Sequence, residues 1–374
     1  MHILIITETF LPATDGVVTR LTHSIRYFMK QGHDVTVVAP DLGVNEFEGA
    51  QIIGVPARKF LFYRSKLFAF PSKNVRTIIE EQDPDIVHVV NPAFVGASGV
   101  HYANKLNYPL VASYHTQVPR YADYYNVSIF KPLLWWYFRK LHNKADLNLC
   151  TSNVVKQELD EHDFHNVEVW ERGVDTEFFN PDYESLDMRD RLSGGQTDKT
   201  LLLFVGRLAP EKEIEKIRHV LDYSDQFVLG IVGDGPHRGE LEKYFAGTNT
   251  VFTGFLHGEE LASAYASADV FVFPSTTETL GLVLSEAMAA GLPVVAAKSG
   301  PTEEQITDEK QGLLYDPSSN NDFVKTVRKL EDESLRQRLS ETAYADIQQM
   351  GWDRQSQQAL DIYHRVVAQK KGSS

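Results

Sequence analysis

Short runs of apolar, mostly β-branched residues alternate along the chain with longer stretches in which apolar residues recur at helical spacing. This alternation is typical of βα units, which fold into a parallel sheet covered by helices. The predicted strands of the first half are 3–6, 35–38, 86–89, 110–113 and 147–150. Those of the second half are 201–205, 228–232, 270–273, 294–297 and 312–315. The pattern therefore predicts an α/β protein with two series of strands.

A polar stretch from Pro181 to Lys199, which lacks apolar periodicity, separates the two series and is predicted to be a linker. The 374 residues fit two domains of roughly 150 to 200 residues each. We therefore expect Rossmann-like domains at 1–180 and 196–354, with a last helix at 355–374 that packs back on the first. Two open α/β domains joined in this way face a cleft at the carboxyl ends of their strands, where ligands usually bind.

Composition narrows the class of function. Hydrophobic residues make up 43% of the chain and charged residues 24%, as in globular proteins. The net charge of −14 argues against nucleic acid as a partner. The single cysteine, Cys150, excludes an intramolecular disulfide. The apolar run at residues 2–6 is too short for a signal peptide, and no run of eighteen apolar residues occurs. We expect a cytoplasmic protein whose membrane contact, if any, is peripheral.

The segment from Phe273 to Pro293 carries the most informative chemistry. A loop containing Glu278 follows a buried strand, and a helix is predicted to begin near residue 281 and to pass Glu286. The amides at its start are those of Gly281, Leu282 and Val283. Free amides and the positive end of the helix dipole suit a diphosphate. Two carboxylates then flank the phosphate and can accept hydrogen bonds from sugar hydroxyls.

This segment resembles that of the retaining glycosyltransferases of family 4, which have two Rossmann-like domains in the GT-B architecture. Their paired glutamates are similarly spaced, and the resemblance implies that Glu278 contacts the transferred sugar and Glu286 the ribose. Spacing alone fits equally well two solvated glutamates near a helix start. The flanking Gly281, Gly291 and Pro293 favour the family.

Two further segments resemble donor-binding parts of that family. In Val205-Gly-Arg-Leu-Ala-Pro-Glu-Lys212 the resemblance assigns Arg207 and Lys212 to the donor phosphates. Fixed cations stabilise the charge that grows on a leaving diphosphate. In the loop after the first strand, Gly16 resembles the family's glycine that approaches the donor.

His115 follows the strand 110–113, at the place where family members carry a histidine against the donor sugar. The resemblance implies that His115 orients the sugar and stabilises charge near its ring, without acting as a general base. Retaining transfer in the family is described as same-face attack, in which the leaving phosphate oxygen takes the acceptor's proton. That mechanism needs no cofactor or metal, and the lone Asp83-Pro-Asp85 motif is predicted to be a turn.

Longer sequence segments resemble those of the sulfoquinovosyltransferases that complete sulfolipid synthesis in cyanobacteria and chloroplasts. They include Thr7-Glu-Thr-Phe-Leu-Pro12, Ser113-Tyr-His-Thr116, Arg172-Gly-Val-Asp175 and Thr277-Glu-Thr-Leu-Gly-Leu282. The resemblance implies UDP-sulfoquinovose as donor and diacylglycerol as acceptor. The sulfonate then needs cationic partners. The candidates are Arg20, Lys66, Arg120 and Arg172. Arg172 is preferred because many relatives carry a neutral asparagine there.

A lipid acceptor requires contact with a bilayer, on the cytosolic face of a thylakoid or plasma membrane. The stretch 129–144 is rich in aromatic, aliphatic and basic residues, which suits an interfacial helix. Its candidate contacts are Lys131, Trp135, Trp136, Arg139 and Lys140. A core helix of the first domain is the equally weighted alternative.

Three other functions stay open. One is a family 4 transferase that acts on a lipid with GDP-mannose or UDP-glucose as donor. The second is a nucleotide-sugar epimerase on the same scaffold. The third, a non-catalytic nucleotide-sugar sensor, is disfavoured because the chain retains His115, Arg207, Lys212, Glu278 and Glu286 together.

Overall fold

The computed structural model describes residues 1–13, 15–60, 63–115, 128–277 and 281–372, without the side chains of residues 59, 60, 63–68 and 128. The chain divides into two units. The first comprises Met1–Arg172 together with the residues from Trp352 onward, and the second comprises Gly173–Gly351.

The first unit is built on a sheet of eight strands. Its elements up to residue 172 are β1 (His2–Thr7), α1 (Gly16–Lys30), β2 (Asp34–Pro40), β3 (Glu46–Phe47), β4 (Ala50–Val55), β5 (Ala57–Phe60), β6 (Tyr63–Ala69), α2 (Asn74–Gln82), β7 (Ile86–Val90), α3 (Val95–Lys105), β8 (Leu110–Tyr114), α4 (Lys131–His142), β9 (Leu147–Cys150), α5 (Asn153–Glu161) and β10 (Val167–Val169). A short 3-10 helix, Ser128–Phe130, precedes α4. The strand order is β10-β9-β8-β7-β1-β2-β4-β3, and β5 pairs with β6 in a separate hairpin. All pairs of the large sheet are parallel except β3 with β4.

The second unit has an all-parallel sheet of six strands in the order β13-β12-β11-β14-β15-β16. Its elements are α6 (Leu186–Ser193), β11 (Thr200–Val205), α7 (Arg218–Tyr223), β12 (Phe227–Val232), α8 (Arg238–Tyr244), β13 (Thr250–Gly254), α9 (Glu259–Ala266), β14 (Val270–Phe273), α10 (Leu282–Ala289), β15 (Val294–Ala297), α11 (Gly300–Glu303), β16 (Gly312–Tyr315), α12 (Asn320–Lys329) and α13 (Glu333–Ile347). Helix α14 (Trp352–Gly372) then belongs to the first unit.

The apolar pattern located the central strands because these are buried on both faces. Strand β7, for example, is buried at all five positions, as expected for a parallel sheet covered by helices. All ten predicted strands are present. Strands β3–β6, β10 and β13 were not predicted. Helix α14 packs against α1, and its Ala359, Leu360 and Tyr363 join the core formed by β1 and α1.

The predicted linker at 181–199 is wrong, because this stretch belongs to the second unit. Pro181 begins a 3-10 helix capped by Asn180, and Gly194 ends α6 in the left-handed conformation. Met188 of α6 is buried in the core of the second unit. These prolines and glycines mark helix ends. The boundaries accordingly lie at 172/173 and 351/352, not near 180 and 354.

The loops after β11 and β12 are joined through their backbones. The amide of Gly206 donates to Val232 O at 3.0 Å, and that of Leu208 donates to Asp234 O at 3.0 Å. A Cβ on Gly235 would lie 2.2 Å from Leu208 O, and one on Gly233 would lie 2.0 Å from Gly206 O. Both glycines are therefore needed for this close packing of the two loops.

We predict that Gly235→Ala destabilises the second unit by about 1–3 kcal/mol, since a Cβ cannot fit against the Leu208 carbonyl. Gly239→Ala is the matched control, because its Cβ meets open space within α8 and alanine favours the helix. Urea unfolding followed by far-UV circular dichroism measures both. Equal midpoints for the two variants would refute the packing role.

Candidate functional site

The second unit has a topological switch point between β11 and β14. These strands are neighbours, and the chain leaves β11 towards β12 on the other side. The loops at their carboxyl ends therefore diverge and leave a crevice. Arg207 and Lys212 follow β11, whereas Gly281 and α10 follow β14. Most of the predicted donor-binding residues are thus at one edge of one sheet.

Hydrogen bonds connect the two loops at this edge. Ser275 Oγ donates to Glu211 O at 3.3 Å, and Thr277 Oγ1 donates to the same oxygen at 3.2 Å. The buried carboxylate of Glu211 pairs with Arg207. Glu211 therefore holds the Arg207 guanidinium with its side chain and the loop after β14 with its backbone. No sequence motif indicated this role of Glu211.

Arg207 and Lys212 form a cationic pair. Burial, followed by the charge of Arg207, lowers the pKa of Lys212 to about 8, while Glu211 acts in the opposite direction. Two cations that are partly withdrawn from water favour an anion, which would restore the charged form of Lys212. The pair is thus suited to hold phosphate groups.

The start of α10 offers the free amides that suit an anion at a helix amino terminus. Gly281 caps the helix at φ 58°, and no side chain in the described part of the chain caps it. The left-handed φ of Gly281 favours glycine, whereas the nearest atom to an added Cβ, Gln305 Nε2 at 2.7 Å, ends a flexible side chain that can move. The amides of Leu282 and Val283 begin the helix. Glu278, together with residues 279 and 280, lies outside the described residues.

Glu286 lies one turn into α10, where it is partly buried. Its Oε2 accepts a 2.7 Å hydrogen bond from the hydroxyl of Tyr265 on α9. Burial raises the pKa of Glu286 to about 7, and the Tyr265 hydrogen bond opposes this rise. Tyr265 is itself fixed between the rings of Phe179 and Phe271. Tyr265 therefore positions Glu286, a role that sequence reasoning missed.

The first unit has its own switch point, between β1 and β7. Gly16 begins α1 after the β1 loop, and Asp15 caps the helix by accepting from the Val18 amide at 3.2 Å. Glu8 Oε1 accepts hydrogen bonds of 2.7–2.9 Å from three amides at the start of α3. The β1 and β7 loops are thereby joined at the edge that carries Gly16.

One turn further along α1, Arg20 is completely buried. Its Nη2 donates to Trp170 O at 3.2 Å and to Glu171 O, and its Cζ lies 4.2 Å from the centre of the Trp170 ring. No acidic side chain among the described residues pairs with Arg20, and its Nε and Nη1 have no partner there. Burial, and then the charge of the partly buried Arg172, lowers the pKa of Arg20 to about 9.

His115 follows β8 and is 5% exposed. Its Nε2 is 2.9 Å from Ser113 Oγ, and its ring contacts Trp170 edge-on with centroids 5.8 Å apart. Burial, followed by the charge of Arg20, lowers the pKa of His115 well below its usual value, so the ring is neutral. Arg20 and His115 thus meet at the Trp170 ring, and Arg172 lies near enough for its charge to act on Arg20. Arg120 and the Lys66 side chain lie outside the described residues.

Helix α4 has one core face and one exposed apolar face. Trp135 is buried and stacks on His162 at 3.8 Å, so it is not available to a bilayer. Leu133 and Trp136, in contrast, are 57% and 49% exposed. The core alternative is therefore confirmed for the face that carries Trp135, and the interfacial alternative stays a prediction for the exposed face. Among the described helices, none is long and apolar enough to cross a membrane.

Comparisons with known proteins identify the family. Residues 14–178 match the model "Glycosyltransferase Family 4", and residues 190–346 match "Glycosyl transferases group 1". The chain is 38% identical to the sulfoquinovosyl transferase SQD2 of Arabidopsis thaliana over 90% of this chain and 68% of that one. The chain is a family 4 glycosyltransferase.

Other relatives of this transferase carry different names. The chain is 36% identical to a GDP-mannose-dependent alpha-mannosyltransferase of Mycobacterium tuberculosis over 84% of this chain and 83% of that one. It is 29% identical to an alpha-monoglucosyldiacylglycerol synthase of Streptococcus pneumoniae over 84% and 75%. The sucrose-phosphate synthase structure from Thermosynechococcus elongatus superposes with a TM-score of 0.80 at 19% identity, covering 98% and 99%. The predicted α/β, GT-B fold class of the transferase is thereby confirmed.

The Asp83-Pro-Asp85 motif of the transferase lies away from the candidate site residues of the first unit. Asp83 ends α2 in the left-handed conformation, and Asp85 Oδ2 accepts from the His2 amide at 2.9 Å. Both aspartates lie at the amino ends of β1 and β7, opposite the switch point. The motif is a turn, as predicted.

We predict that the transferase binds UDP most tightly between about pH 7 and pH 8. The family resemblance assigns Glu286 to the ribose hydroxyls, and below about pH 7 its carboxyl gains a proton and loses an acceptor. Above about pH 8 Lys212, assigned to the phosphates, loses its charge. Calorimetric titration of UDP across this range measures the effect. Glu286→Gln should remove the acid limb, and Lys212→Arg should remove the alkaline limb. A flat profile for the unmodified protein would contradict these assignments.

Proposed function

We propose that this transferase is a retaining enzyme that transfers sulfoquinovose from UDP-sulfoquinovose to diacylglycerol. The observation that carries the proposal is the buried positive charge of Arg20, for which the described residues offer no carboxylate. Arg172 and His115 lie near enough for their charges to interact with that of Arg20. The 38% identity to a sulfoquinovosyl transferase and the relationship to a diacylglycerol-glycosylating synthase support it.

The sulfonate of sulfoquinovose is carried by the sixth carbon of the sugar, where glucose and mannose carry a hydroxyl. Withdrawing a guanidinium from water costs several kcal/mol unless an anion and further hydrogen bonds compensate it. Two backbone carbonyls and the Trp170 ring compensate Arg20 only in part. A sulfonate supplies both the missing charge and acceptor oxygens. The neutral hydroxyl of glucose or mannose supplies no charge.

The second unit carries the residues that we assign to the nucleotide part of the donor. Arg207, Lys212 and the amides at the start of α10 hold the diphosphate and stabilise the charge that grows on it as the glycosidic bond breaks. Glu286 accepts from the ribose hydroxyls, and Glu278 contacts the sugar. The acceptor hydroxyl attacks from the face that the diphosphate leaves, and a phosphate oxygen takes its proton. With two cations assigned to this task, transfer requires no divalent metal.

We predict that Arg172→Asn lowers kcat/KM for UDP-sulfoquinovose by about 10–100-fold, the loss expected for one charge-assisted contact. UDP affinity should not change, because the diphosphate is assigned to Arg207, Lys212 and the start of α10 in the second unit. Arg172 is a better target than Arg20, whose replacement would leave a void in the core. Radiolabelled transfer to diacylglycerol, with excess EDTA present, measures the rate, and EDTA should leave it unchanged.

The control is Arg354→Asn. Arg354 is 65% exposed and pairs with Glu171, the residue before Arg172. Replacing Arg354 should therefore change kcat/KM very little. Equal rates for the Arg172 variant and the unmodified enzyme would overturn the sulfonate assignment. A preference of the unmodified enzyme for GDP-mannose would favour the alternative suggested by the mannosyltransferase relative.

Access to diacylglycerol is assigned to the exposed face of α4 and the preceding 3-10 helix. Ile129, Leu133, Trp136 and Lys140 follow one another at helical spacing along one stripe. Ile129 is 84% exposed. Apolar side chains flanked by lysine suit a bilayer that contains anionic lipid.

We predict that Leu133→Asp combined with Trp136→Asp reduces binding to vesicles of anionic and neutral phospholipid by more than about tenfold, since each loses roughly 1.5–3 kcal/mol of apolar burial. Vesicle co-sedimentation measures the binding. Leu186→Asp, at an 80% exposed position on α6 of the second unit, is the matched control and should not change it. Equal loss in both variants would refute this docking face.

A further inference from the structure

A chain of four buried side chains connects α14 to His115. Tyr363 Oη lies 2.6 Å from His88 Nδ1. His88 Nε2 lies 2.9 Å from Ser113 Oγ, and that oxygen lies 2.9 Å from His115 Nε2. Tyr363, His88 and Ser113 are all fully buried. Each member comes from a different part of the chain, namely α14, β7, β8 and the loop after β8.

The direction of these hydrogen bonds follows from counting protons. Within the described residues, the Tyr363 hydroxyl has one partner, His88 Nδ1. If the hydroxyl accepted from His88, its own proton would be buried without an acceptor, which costs about 1–3 kcal/mol. The hydroxyl therefore donates. A neutral imidazole that accepts at Nδ1 carries its proton at Nε2, so His88 donates to Ser113.

Ser113 has one hydroxyl proton and two imidazole neighbours. Since its oxygen accepts from His88, its proton goes to His115 Nε2. Both rings must be neutral for this alternation to hold. Burial and the charge of Arg20 lower the pKa of His88 to about 3 and that of His115 well below its usual value. Arg20 and the hydrogen-bond chain thus act in the same direction.

We propose that Tyr363, His88 and Ser113 are positioning residues that fix His115 as the tautomer protonated at Nδ1. The imidazole then has a hydrogen-bond donor at Nδ1 and no acceptor nitrogen to offer. A donor at this position suits a sulfonate or hydroxyl oxygen, whereas a bare nitrogen would repel a sulfonate. This last consequence rests on the proposed function, but the tautomer itself does not.

Nitrogen-15 NMR of histidine-labelled protein, recorded without any donor sugar, tests the tautomer. His115 is assigned by its loss in His115→Asn. We expect a protonated, pyrrole-type shift for His115 Nδ1 and an unprotonated, pyridine-type shift for Nε2. The opposite pattern in the unmodified protein would overturn the proposal. Because no substrate is present, this result is independent of whether UDP-sulfoquinovose is the donor.

Variants separate positioning from simple packing. Tyr363→Phe removes the hydroxyl that sets the direction, so His115 should take up the other tautomer in part, and kcat should fall about tenfold with unchanged UDP affinity. Ser113→Thr keeps the hydroxyl and should retain both the tautomer and the rate. Tyr27→Phe is the matched control, since Tyr27 also bonds α14, through Gln357 at 2.8 Å, but at an exposed position. An unchanged tautomer in Tyr363→Phe would refute the role of Tyr363.

Discussion

The first unit is organised around one buried guanidinium that no carboxylate among the described residues neutralises. Arg20 is held by two carbonyls and by the face of Trp170. Such a cation is costly to bury, and its field acts on every titratable group nearby. Burial, and then the charge of Arg20, lowers the pKa of both His88 and His115, which keeps their rings neutral. Only neutral rings can form the directed chain of hydrogen bonds from Tyr363.

In the second unit, unlike the first, the central arginine is paired with a carboxylate. Arg207 has a buried carboxylate partner in Glu211, and the same residue connects the loops after β11 and β14 through its backbone. The guanidinium is therefore fixed before any ligand arrives, which is what electrostatic stabilisation of a leaving group requires. In the proposed function, the diphosphate uses this fixed pair, while the sulfonate supplies the counter-charge that Arg20 has not found among the described residues.

Features that are local in sequence were predictable. The buried strands, the Arg207–Lys212 loop and the start of α10 depend on neighbours along the chain, and a parallel sheet brings strand ends to one edge. Pro181 and Gly194 were misread, since the same residues mark linkers and helix ends alike. Composition alone could not tell that Trp135 is buried and Trp136 exposed, because this depends on how α4 is rotated about its axis.

Contacts distant in sequence were not predictable. Tyr265 reaches Glu286 across 21 positions, Arg20 reaches Trp170 across 150, and Tyr363 reaches His88 across 275. No periodicity encodes such pairs. The sequence could nominate Arg20 and Arg172 as cations for a sulfonate, but the fold was needed to find that Arg20 is buried beside Trp170 and His115.

The most direct measurement of the central claim is a comparison of donors with the unmodified enzyme. UDP-sulfoquinovose, UDP-glucose and GDP-mannose would be supplied separately with diacylglycerol in vesicles, and kcat/KM determined for each. We predict that kcat/KM for UDP-sulfoquinovose exceeds that for both neutral-sugar donors by at least about 100-fold, as expected when a charged contact is lost and a buried cation stays uncompensated. Equal or better use of UDP-glucose or GDP-mannose would overturn the sulfonate assignment.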